Sequence, residues 1–123
     1  IVRRPEVQMG RYCQWEGTHL LIYGALAGGL LSDKYLGQPE SRGAALDTTS
    51  LSKYKRFVDD WDGWKLFQEL LLTLRAVADH REDNSGAFQF SLAPENLGHI
   101  QSVLIRSRDL YQIIGDCGDK YRA

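Results

Sequence analysis

The sequence predicts an α/β chain, mostly helical with one clear strand. Three observations carry that reading. Leu20, Leu21 and Ile22 run consecutively within "HLLIY", His19 to Tyr23. An apolar run without alternation suits a strand covered on both faces, as in parallel α/β sheets. Trp64, Phe67, Leu70, Leu71, Leu74, Val77 and Ala78 share one helical stripe. Leu97, Ile100, Val103 and Leu104 repeat the spacing further on. At 123 residues the chain is the size of one ordinary domain and long enough to bury a core.

The elements follow in order. Pro5 to Glu16 reads as a short helix, with Pro5 in its first turn, Glu6 at the positive end of the dipole and Gly17 as the stop. The strand His19 to Tyr23 comes next. From Gly24 to Thr49 the chain is rich in Gly, Ser, Asp and Pro, a long loop of the kind that is functional or disordered. Leu51, Tyr54, Phe57, Val58 and Trp61 mark an amphipathic helix capped by Thr49 or Ser50 and broken at Gly63. The Trp64 stripe is the next helix, and "HREDNSGAFQFSL" interrupts the pattern. The last helix runs through "LAPENLGHIQSVLIRSRDLYQIIG", with Pro94 at N1 and Gly115 and Gly118 as its end. Ala93 precedes Pro94 where Asp, Ser or Thr would cap, a loss of about 1 kcal/mol.

This inventory contains a physical difficulty. Wide apolar helix faces have only one strand to cover, and a lone strand cannot pair its own N–H and C=O groups. The pattern therefore suggests a sheet whose other strands are missing.

Composition narrows the function classes. A net charge of −1 offers no electrostatic case for nucleic acid or an anionic membrane. No apolar run approaches the about 18 residues needed to cross a bilayer. No secretory signal is visible in "IVRRPEVQMG", and Cys13 and Cys117 suit thiols in a reducing compartment, so the cytoplasm is the expected location. The start at Ile1 rather than Met fits a piece of something longer.

Few motifs carry chemistry. Gly24, Gly28 and Gly29 directly follow the strand, and close glycines let a backbone approach a phosphate with its N–H groups as donors. The stretch "GALAGGLLSDK" matches neither the P-loop nor the GxGxxG pattern, so by itself it fits a plain turn better than a ligand cradle. Tyr23 could stack on a flat ring or sit in a core, and Lys34 could reach a phosphate or only water. His19, His80 and His99 have no metal-ligand spacing, and the nucleophile elbow is absent. Asp116, Cys117 and Asp119 lack the spacing of a calcium loop. Lys53, Lys55 and Arg56, followed by Asp59, Asp60 and Asp62, read as a solvated, self-compensated helix face. Trp61 and Trp64 read as core.

The stretches "RRPE", "LLIYGALAGGLLSDKYLG", "SLSKYKRFVDDWDGWKLFQELL" and "RSRDLYQIIGDCGDKYR" together resemble the C-terminal part of an aldo/keto reductase of the microbial, fungal and plant branch. The resemblance extends over nearly all of residues 1–123, as one partial domain. It implies a fragment of a (β/α)8 TIM barrel that binds NADP(H) and reduces small-molecule carbonyl substrates by hydride transfer. By position, Tyr23 would stack on the nicotinamide, and Gly24, Ala25, Leu26, Gly28 and Gly29 would cradle the pyrophosphate. Lys34 matches the lysine of the family's G-K-Y turn near the phosphates. Asp83 and Asn84 match its acidic–Asn pair near the adenine.

The departures matter equally. The family's catalytic Asp, Tyr, Lys and His would all precede Ile1, and the eighth strand is lost near His80 and Arg81. Tyr12, Tyr35 and Lys53 are not substitutes. A complete barrel needs about 250 residues and eight closed strands. The expectation is thus an NADP(H)-type fragment with weak or no cofactor affinity and no turnover. The alternative is a non-catalytic helical remnant acting by protein–protein association, including self-association through uncovered apolar helix faces.

Overall fold

The structure, a computed structural model, describes residues 9–21, 24–40, 46–79, 93–110 and 113. Among these residues it has four α-helices and no strand. The α/β expectation, a barrel fragment with one clear strand, is corrected accordingly. Thr18 to Leu21 form no sheet pairing, and Leu21 is 97% exposed. The cause is the difficulty noted above: an apolar run becomes a strand only where neighbouring strands accept its backbone bonds. No such neighbour stands among the described residues. Ile22 and Tyr23 lie outside them.

Helix α1 spans Met9–Glu16 and buries none of its residues. It stops at Gly17, where the Thr18 N–H returns to the Cys13 carbonyl at 3.0 Å, the closing bond of a Schellman stop. The expected first turn at Pro5 lies outside the described residues. The long loop that follows is not featureless. It holds two short 3-10 turns, Ala27–Gly29 and Asp33–Tyr35.

Helix α2 spans Thr49–Trp61, and its cap is Thr48 rather than Thr49 or Ser50. Three hydroxyl residues stand in a row there, and Thr48 Oγ1 accepts the Leu51 N–H at 3.1 Å, satisfying one orphan donor of the first turn. The helix ends where expected: Asp62 and Gly63 both take positive φ, and helix α3, Gly63–Asp79, follows directly. Helix α4 spans Pro94–Leu104, with Pro94 in its first turn and no side-chain bond at Ala93. It is shorter than the expected run to Gly115; Ile105 already caps it, and Gly115 and Gly118 lie outside the described residues.

Helix α2 packs on the first 3-10 turn and on α3, and α3 packs on α4. Leu30, Val58, Trp61 and Phe67 form the centre of the core, each below 2% exposure. Full burial of such a side chain contributes about 1.5–3 kcal/mol. The expected inward residues of α4 split: Val103 is buried, Ile100 and Leu104 are half-buried, and Leu97 is exposed. Beyond α4 the chain returns to the α2–α3 corner. There the Arg108 N–H donates to the Trp61 carbonyl at 2.8 Å, and Leu110 is buried.

Candidate functional site

The glycine turn sits on the first two turns of α2. Its residues divide by side: Ala27, Leu30 and Tyr35 enter the core, whereas Gly24, Ala25, Leu26, Gly28 and Lys34 are exposed and Gly29 is half-buried. A bulky Leu26 at 66% exposure belongs to the outward set. Two glycines are required by close approach as well as by positive φ. A side chain on Gly24 would collide with the Tyr54 hydroxyl. One on Gly28 would lie 2.8 Å from Ser50 Oγ and 3.0 Å from the Tyr54 ring. Such contacts force a neighbour to move, and an L-residue pays the left-handed backbone penalty besides.

The turn closes on itself through its backbone. The Ala27 N–H donates to the Gly24 carbonyl at 2.9 Å, and the Gly29 and Leu31 N–H groups both donate to the Leu26 carbonyl, at 2.9 and 3.1 Å. The Leu30 N–H donates to the Ala27 carbonyl at 3.2 Å. These donors serve the turn, so an anion would engage them only by opening it.

The second half of the loop is strapped to α3. Gln68 Nε2 donates to the Tyr35 carbonyl at 2.9 Å, while its Oε1 accepts the Gly37 N–H at 2.7 Å. One carboxamide thus satisfies both a donor and an acceptor of the loop. Trp64 Nε1 donates to the Gln38 carbonyl at 3.0 Å, and Arg75 pairs with Asp33 at 3.1 Å and with Asp79. Tyr35 meets Trp64 edge to face, with centroids 6.3 Å apart. Lys34, between these anchors, stays exposed with its Nζ 5.3 Å from the Tyr35 ring.

Lys55 departs from the solvated face expected for the run around it. It is only 6% exposed, paired with Glu40 at 2.8 Å and with Asp59, and its Nζ lies 5.7 Å from the Trp64 ring. Burial alone pulls the ammonium down. The hydrogen bonds and charges of Asp59 and Glu40 outweigh that and hold its pKa above the ordinary 10.5. Lys53, Arg56, Asp59 and Asp62 remain exposed as expected, with Asp60 half-buried.

The structure therefore gathers Gly24, Ala25, Leu26, Gly28, Gly29 and Lys34 along one loop. Tyr23, Asp83 and Asn84, the other residues expected to face a cofactor, lie outside the described residues. So do His80, Cys117 and the stretch Arg81 to Leu92. Tyr54, Gln68, Lys55 and Arg75, which fix the loop, were not singled out for that role in the sequence. Tyr54 reads as one more apolar-stripe residue, and Gln68 and Arg75 as polar positions of a helix. Gln68's spacing of four from Trp64 and three from Leu71 places it at the edge of the apolar stripe, the one sequence signal of a buried-side task. Among the described residues no group of three or more His, Cys, Asp or Glu could hold a metal ion. No described helix is long and apolar enough to cross a membrane. Comparison with protein-family models, curated proteins and solved structures finds no match.

Proposed function

We propose that this chain is the cofactor-facing, C-terminal portion of an NADP(H)-dependent aldo/keto reductase, with no carbonyl reduction of its own. The observation that supports the reading is the sidedness of the loop. Of the described positions matched to the cofactor side, Gly24, Ala25, Leu26, Gly28 and Lys34 are exposed and Gly29 is half-buried, while Ala27 and Leu30 between them anchor the loop in the core. Lys34 supplies a positive charge on that outer side for a phosphate. Internal bonding of the turn's donors opposes tight binding, which fits a weak site. A chain of this kind belongs in the cytoplasm, where its thiols stay reduced. The test is NADPH consumption with a broad aldehyde panel, beside NADPH quenching of Trp15, Trp61 and Trp64. The reading expects no turnover and no saturation below about 1 mM. Turnover, or a micromolar dissociation constant, would overturn it.

A second reading, a helical remnant that works by association, is favoured by α1. Met9, Tyr12 and Trp15 are 55%, 61% and 85% exposed on a helix that buries nothing. Contiguous exposed apolar surface marks an interaction face. Sedimentation of the chain against its Trp15→Ser variant separates the readings. Concentration-dependent association that the substitution abolishes would support this one, and a monomer in both would remove it.

A further inference from the structure

We draw no further inference here: the strongest candidate, the exposed apolar face of α1 formed by Met9, Tyr12 and Trp15, carries nothing beyond the association reading above, because nothing in the structure shows what covers it.

Discussion

The Tyr54 hydroxyl fills the space that a side chain on Gly24 would occupy. This contact binds the loop's conformation to α2, and it makes the glycine a packing requirement whether or not a ligand ever meets the turn. Gly24→Ala is expected to destabilise the chain by about 1–3 kcal/mol, from overpacking and left-handed backbone strain together. Tyr54→Phe on that background removes the colliding atom and should restore about 1 kcal/mol, a coupling that a urea-denaturation double-mutant cycle reads directly. Strictly additive effects would mean that the two residues do not touch.

Gln68 holds the loop by both ends of its carboxamide. Gln68→Met keeps the volume and loses both bonds to Tyr35 and Gly37. The expected cost is about 1–3 kcal/mol, since partly exposed hydrogen bonds are each worth about 1 kcal/mol. Hydrogen exchange at the Gly37 amide should accelerate selectively. Unchanged protection there would show that the strap is held by Trp64 and Arg75 alone.

Lys55 gives the fold a pH dependence of known sign. Its pKa is raised in the folded chain, so its stabilising contribution is complete below about 10.5 and declines as pH climbs through the folded value. Lys55→Met keeps the apolar stem and should cost about 1–2 kcal/mol at neutral pH, less than a fully buried pair because Glu40 and Asp59 retain solvent. The stability gap between the two proteins should narrow above pH 10.5. A gap that stays constant through that range would separate the ion pair from the stability it is assigned.

Phe67 lies at the centre of the core, fully buried and tilted against Trp64 at 5.3 Å between centroids. Phe67→Ala is expected to cost about 3–5 kcal/mol. That is a large share of the about 5–15 kcal/mol available to a typical domain. Loss of a cooperative transition in the circular-dichroism melt is therefore the expected result, and a shift of only a degree or two would place Phe67 outside the core.

Helices α2, α3 and α4 were legible in the sequence because apolar spacing of three and four is a local signal, and α1 through its stop at Gly17. Trp61, Phe67, Leu70 and Val103 all sit where that spacing put them. The break at Gly63 and the Pro94 start were equally local. The strand expected at His19 to Tyr23 is a misreading: "HLLIY" is apolar enough for a strand, but strand formation depends on partners elsewhere, and Thr18 to Leu21 have none among the described residues. The burial of Lys55 also escaped. Its partner Glu40 stands 15 positions upstream in the loop, and no periodicity relates the two. Likewise, the order of the loop's second half came from side chains 26 to 42 positions away, on α3.

The most direct measurement of the cofactor-loop proposal is an NMR titration of the isotope-labelled chain with NADPH. Fast-exchange shifts are expected at Gly24, Ala25, Leu26, Gly28, Gly29 and Lys34, with a dissociation constant between about 1 and 10 mM. Shifts confined to other residues, or none at these six at several millimolar NADPH, would contradict it.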